Sequence, residues 1–343
     1  MTIKLAPQLP DQEFEWGENM KLYPGALPKE LFNVLDKSSF KWIPMEQIWQ
    51  EYPDTKSITF VRHLESKYNE YKEMIKQTDK YKEFIAMDNS ESKKQELAMH
   101  LMKNYKEIIW TDYQTQLSEK WKQQWEHLGN LYAKLIESNP SLFPSLIVVS
   151  PYLRTRLTAK YFLQNVKWLD LDTEKILSEK SKIDLLTGSF QGKKVIVKLS
   201  NDVRERDHGK VLAPNYLREY FDATSPLTAA IADLDESDNE EMHYYTVPNW
   251  WESQVQVEQR IKSHLYSLMK DKQDQILVFS HHLAIIAALN TIFSWTFNTH
   301  YMLNQYWRPK NGSMTVVSQI PKTQSGQEDK LRVSMYNGML EDK

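Results

Sequence analysis

The sequence predicts an α/β fold, a three-layer sandwich in which a mostly parallel central sheet carries helices on both faces. Two observations lead there. Five short runs rich in branched residues read as buried strands: Ser57 to Val61, Leu146 to Val149, Val195 to Lys198, Ile276 to Phe279 and Met314 to Val317. Helical patterns separate most of them, and such alternation favours parallel strands buried on two sides.

Taken in order, residues 1–56 carry Pro7, Pro10, Pro24, Pro28, Pro44 and Pro53, which suits an irregular N-terminal arm packed on the core rather than a separate domain. Residues 57–343 form the main domain, with insertions at about 70–108 and 168–192. The first insertion is dense in Lys and Glu and places Tyr71, Met74, Ile75, Thr78, Tyr81 and Ile85 at helical spacing, so one or two amphipathic helices are expected there. Trp121, Trp125, Leu128, Tyr132 and Leu135 share one helical face behind an N-cap at Ser118. Val257, Ile261, Leu265 and Leu268 form a second such face. Leu331 to Met335 follows a turn-rich stretch around Ser325-Gly326 and is expected to return as an antiparallel edge strand.

With 343 residues, 41% hydrophobic and 12% aromatic, the chain has enough apolar surface for a sizeable core, which excludes disorder throughout. The formal charge of −3 gives no global field for nucleic acid or membrane, so an anion site must be local. Cysteine is absent, which removes disulfides, thiolate catalysis and Cys-type zinc sites. The N-terminal stretch lacks the basic and then apolar pattern of a secretory signal, and the expectation is a soluble, cytoplasmic protein.

Candidate chemistry concentrates at strand ends, where open α/β sheets bind ligands. Arg62-His63 follows the first strand. Arg154 lies just after Ser150-Pro151, with Pro151 expected at the first helical position. His281 follows Val278-Phe279, and Glu205 sits in the charged string Val203 to Gly209. No Walker-type or dinucleotide glycine pattern occurs among only 9 Gly, so a backbone-amide nucleotide cradle is not expected. Asp207-His208 and His281-His282 lack zinc spacing, and no metal is expected. His100, His127, His243, His264 and His300 have no motif context.

These strings resemble the histidine phosphatase superfamily, in its phosphoglycerate-mutase-like branch. Arg62, His63, Glu65, Ser66 and Asn69 match the family's Arg-His-Gly-Glu-Ser/Thr-x-x-Asn motif. Ser150, Pro151, Arg154, Thr158 and Ala159 match its Ser-Pro-x-x-Arg-x-x-x-Thr-Ala helix, Glu205, Arg206 and Gly209 its Glu-Arg-x-x-Gly loop, and Ser280-His281 its late Ser/Thr-His-Gly turn. Weaker echoes are Trp110 to Asp112, Leu117-Ser118 with Gln124, Glu252-Ser253 with Arg260, and Asn311-Gly312-Ser313.

The resemblance implies a metal-independent, cofactor-free phosphatase that hydrolyses a phosphorylated small molecule through a phosphohistidine. His63 would be the nucleophile and Glu205 the proton donor. Arg62, Arg154 and His281 would neutralise the phosphoryl oxygens, and Ser66, Asn69 and His282 would bind substrate. A pairing of Glu205 with Arg204 or Arg206, and Asp207 as the acid, are the alternatives. From the residues themselves, Lys210 and Arg218 either bind a second acidic group on a substrate or face water, and Tyr244-Tyr245 with Trp250-Trp251 form either an aromatic wall beside a pocket or buried core. A phosphomutase and a catalytically silent phosphate-binding scaffold are the competing functions. Two departures bear on competence. The family glycine after the nucleophile is Leu64 here, and the one after the late histidine is His282; a positive φ at either would strain a side chain.

Overall fold

A computed structural model describes residues 42–44, 56–87, 93, 97, 100–101, 114–178, 186–206, 252, 254–270, 275–293, 308–320 and 330–341. The expectations for the rest of the arm, for Trp110 to Asp112, for Asp207, His208, Gly209, Lys210 and Arg218, for the Tyr244-Tyr245 and Trp250-Trp251 pairs and for Ser253 lie outside these residues, as does the Gln124 side chain.

The strands are β1 (Trp42–Pro44), β2 (Ser57–Arg62), β3 (Leu146–Val149), β4 (Leu169–Asp170), β5 (Leu186–Phe190), β6 (Lys193–Leu199), β7 (Gln275–Ser280), β8 (Met314–Ile320) and β9 (Lys330–Glu341). They form one sheet in the order β1-β9-β8-β2-β7-β3-β6-β5-β4. The central four, β2, β7, β3 and β6, run parallel, and β8, β9, β5 and β4 extend the sheet by antiparallel pairing.

Alternation along the central strands builds two cores. Val61, Ile147, Val149, Leu277 and Phe279 face one side with α3 (Glu119–Ser138) and α4 (Leu153–Leu163). Ile58, Phe60, Leu146, Val148, Ile276 and Val278 face the other with α5 (Gln254–Lys270) and α6 (His282–Phe293). This is the three-layer sandwich. Both helical faces read from the sequence are buried, with Trp125, Leu128, Tyr132 and Leu135 in the first core and Val257, Ile261, Leu265 and Leu268 in the second.

Three placements differ from expectation. β9 is antiparallel to β8 but is not the edge, because Trp42–Pro44 of the arm pairs outside it, and Pro44 suits an edge that needs no further N–H donor. The described parts of 168–192 extend the sheet as β4 and β5. Pro151 precedes the helix instead of opening it, since α4 begins at Leu153 behind an N-cap at Tyr152.

The segment after β2 continues into α1 (Lys67–Lys76) and α2 (Asp79–Ala86), and Tyr71, Ile75 and Phe84 bury the inner face of this helical pair. Ser66 caps α1 and accepts from the Asn69 N–H, while Asn69 Oδ1 accepts from the Ser66 N–H, which makes a reciprocal capping box.

Neither Leu64 nor His282 adopts a positive φ. Leu64 is fully buried in the α3-side core, close to Trp125, where a Cβ on Gly312 would lie 3.4 Å from Leu64 and 3.1 Å from Trp125. Gly312 holds φ +76° in the turn before β8, so the positive φ sits there. Truncating Leu64→Ala is expected to cost about 2–5 kcal/mol, read from urea unfolding at neutral pH, because it empties a filled core position. A loss below about 1 kcal/mol would contradict that packing.

Candidate active site

The parallel pairing carries four chain segments off the same edge of the sheet. The ladder continues one step beyond the strands: the His63 N–H donates to Ser280 O at 2.9 Å, the Ser150 N–H to Phe279 O at 3.0 Å and the Ser200 N–H to Val149 O at 3.0 Å. His63, Ser150 and His281 therefore leave the sheet in fixed register. Asn311 Nδ2 donates to His63 O at 2.9 Å, and the Gly312 N–H reaches Arg62 O and His63 O at 3.1 and 3.3 Å. These contacts hold the nucleophile candidate's backbone from the β8 side.

His63 and His281 are buried with ring centroids 5.0 Å apart. His63 Nδ1 lies 2.5 Å from Leu64 O. A carbonyl only accepts, so Nδ1 carries the hydrogen and Nε2 presents a lone pair. Arg154 Nε donates to that Nε2 at 3.2 Å. The Arg154 guanidinium is itself buried and stacks over the Tyr152 ring at 4.8 Å. The same ring meets His281 edge-on at 5.0 Å. Ser150 Oγ lies 2.7 Å from His281 Nε2, while the buried His281 Nδ1 has no hydrogen-bond partner among the described residues.

A single hydroxyl joins the first two motifs: Thr158 Oγ1 donates to Arg154 O at 2.6 Å and accepts from the Leu64 N–H at 3.3 Å. Arg62 donates through Nη1 to Pro309 O. Glu65 is tied to α3, its Oε2 accepting from Ser118 Oγ at 3.1 Å and its carbonyl from the Ser118 N–H at 3.0 Å.

Electrostatics follow from the burial. Desolvation, then the charges of Arg154 and Arg62, hold His63 well below the ordinary imidazole value of 6.5, against an upward pull from the Leu64 carbonyl. Desolvation, then Arg154, His63 and the other two nearby arginines, lower His281 in the same way. Both rings are thus neutral between flanking cations, an arrangement that a bound dianion would relieve.

The expected residues divide as follows. His63, Arg62, Arg154 and His281 converge at one rim. Glu205 follows the short turn after β6, half-buried, with Oε1 accepting from the Arg206 N–H at 3.0 Å. Arg204 pairs with Glu252 at 3.4 Å. Ser66 and Asn69 are engaged in the α1 cap, and His282 is the half-buried first residue of α6. Sequence reasoning did not single out Tyr152, which orients both Arg154 and His281, or give Asn311 its hold on His63. A tyrosine inside the Ser150 to Arg156 string was the available signal.

Among the described residues no group of three or more His, Asp or Glu is placed to hold a metal ion, and no helix is long and apolar enough to cross a membrane.

No family model and no curated protein sequence matches this chain. Among solved structures it is similar to a mycobacterial glucosyl-3-phosphoglycerate phosphatase, at 15% identity, covering 83% of this chain and 99% of that one with a TM-score of 0.45. It is also similar to the alpha-ribazole phosphatase from Shigella flexneri, at 11% identity over 84% and 99% of the two chains, TM-score 0.46. A phosphoserine phosphatase mutant from Entamoeba histolytica is similar at 12% identity over 82% and 96%, TM-score 0.41. At such low identity and score the likeness assigns no activity to this chain, and its chemistry has to be read from the side chains at the rim.

The two lowered histidines make a pH prediction. Their folded values lie below the unfolded one, so below pH 6.5 the unfolded chain binds protons that the native protein refuses. Stability is complete above 6.5 and falls as pH drops below it, by up to about 1.4 kcal/mol per pH unit for each histidine. Urea midpoints at about pH 7.5 and about pH 5.5 should show the loss, and His281→Asn should reduce it. An unchanged pH dependence in that variant would contradict a neutral, buried His281.

Proposed function

We propose that the chain is a phosphatase of the histidine phosphatase superfamily, hydrolysing the phosphomonoester of a small molecule through a phosphohistidine on His63. The observation that carries this reading is the His63 geometry: a buried, neutral imidazole whose Nδ1–H is held by a backbone carbonyl and whose Nε2 lone pair meets a buried arginine. A nucleophilic histidine needs that tautomer, and a phosphoryl group needs that cation beside it.

Substrate arrival would redirect Arg154 from Nε2 to the phosphoryl oxygens, freeing the lone pair for in-line attack. His63 Nε2 would then bond to phosphorus as the ester P–O bond breaks, with Glu205 passing its proton to the leaving oxygen. In the second half, the Glu205 carboxylate takes a proton from water. The water oxygen bonds to phosphorus, the N–P bond breaks, and His63 and protonated Glu205 are restored. Arg62, Arg154 and His281 would neutralise the phosphoryl oxygens, and the charges of both arginines already act on the two imidazoles. Tyr152 would hold two of these three groups in place. Ser66 and Asn69 would reach substrate only by leaving the α1 cap that engages them, and His282 at the start of α6 would complete the substrate-binding set.

Leu64 and His282 do not weigh against competence on backbone grounds, since neither residue is at positive φ.

Hydrolysis of 4-nitrophenyl phosphate in the presence of a chelator tests the proposal. The wild-type protein should turn over, His63→Ala should fall to background, and Glu205→Gln should lose roughly 10²–10⁴-fold on a substrate whose leaving group needs a proton. Activity retained in His63→Ala, or lost on chelation, would overturn it.

A further inference from the structure

A network that the proposed chemistry does not use holds the segment leading into Glu205. Asn201–Val203 form a tight 3-10 turn just after β6, with Arg204 as its extended C-cap. All four of their carbonyls are taken by side chains of other elements. Arg260 Nη1, on α5, donates to Asn201 O at 3.3 Å, to Asp202 O at 2.5 Å and to Arg204 O at 3.2 Å. Ser280 Oγ, one residue before His281, donates to Val203 O at 2.7 Å.

The guanidinium is fixed from behind. Arg260 Nε and Nη2 make a bidentate pair with the two Glu252 oxygens, each at 2.8 Å, and Glu252 also meets Arg204 at 3.4 Å. His264, one turn further along α5, lies 3.2 Å from the Asp202 carboxylate. Both members of the Arg260–Glu252 pair are largely buried, and a planar five-donor fork satisfies two carboxylate oxygens and a row of carbonyls at once, which a lysine ammonium does not.

A fold needing only a stable turn has no use for so many converging donors. Fixing every carbonyl of the turn instead fixes the position and direction of the next residue. We infer that Arg260, held by Glu252 and assisted by Ser280, is a positioning residue that sets the Glu205 carboxyl at the proton-donating position beside His63. This rests on the proposed roles of His63 and Glu205. Because Ser280 adjoins His281 and its carbonyl accepts from the His63 N–H, the same strut registers the acid against the nucleophile.

The test separates positioning from folding by varying the leaving group. A misplaced acid harms the departure of a poor leaving group far more than that of a good one, which leaves without a proton. Rates are compared for 4-nitrophenyl phosphate and phenyl phosphate in wild type, Glu205→Gln, Arg260→Ala, Arg260→Lys, Glu252→Gln and Ser280→Ala, each with a thermal melt. Arg260→Ala is expected to lose at least about ten-fold more kcat on phenyl phosphate than on the nitrophenyl ester, as Glu205→Gln does, with KM little changed. Arg260→Lys should restore little, and Ser280→Ala should show the same selectivity in smaller measure. Should Arg260→Ala not fold, Glu252→Gln and Ser280→Ala carry the same comparison. Wild-type selectivity in every folded strut variant, alongside altered selectivity in Glu205→Gln, would overturn the inference alone. Unaltered selectivity in Glu205→Gln itself would overturn the acid role on which it stands.

Discussion

Parallel pairing of β2, β7, β3 and β6 brings together segments that lie more than two hundred residues apart in the chain. All four strands end at one edge, and side chains that follow them cannot avoid one another. The backbone bonds that run on past the strands, from His63 to Ser280, Ser150 to Phe279 and Ser200 to Val149, carry the sheet's register into the loops. The site inherits its rigidity from the sheet.

Within that frame the site is a balance of unfavourable terms. Two histidines are buried side by side, held neutral by desolvation and by the charges of Arg154 and Arg62. Such an arrangement costs stability and is retained where a bound anion would reverse the cost. The compensating contacts are local: Tyr152 under Arg154, Thr158 between α4 and Leu64, and Asn311 against the His63 carbonyl. Leu64 adds core contact in the same place, with Gly312 leaving the room it fills.

The sheet's centre was legible in the sequence because strands buried on both faces are continuous runs of Val, Ile, Leu and Phe, and those runs were found within a residue or two of their ends. β4 and β5 were not, since Leu169–Asp170 has two residues and Leu186–Phe190 carries Thr, Gly and Ser where an apolar run is looked for. β1 was hidden by its proline. For the site, residue types and order were readable, whereas tautomer, burial and the φ at Leu64 belong to tertiary structure. His264 illustrates the gap: without motif context it read as an ordinary histidine, yet it braces Asp202 in the Glu205 turn.

The central claim is that His63 Nε2 accepts the phosphoryl group. Its most direct measurement is rapid mixing with an aryl phosphate, alkaline quenching to preserve the acid-labile N–P bond, and peptide mass spectrometry. The account predicts one phosphoryl group on the peptide containing His63 and none in His63→Ala. Turnover without any labelled peptide, or a label on His281 instead, would contradict it.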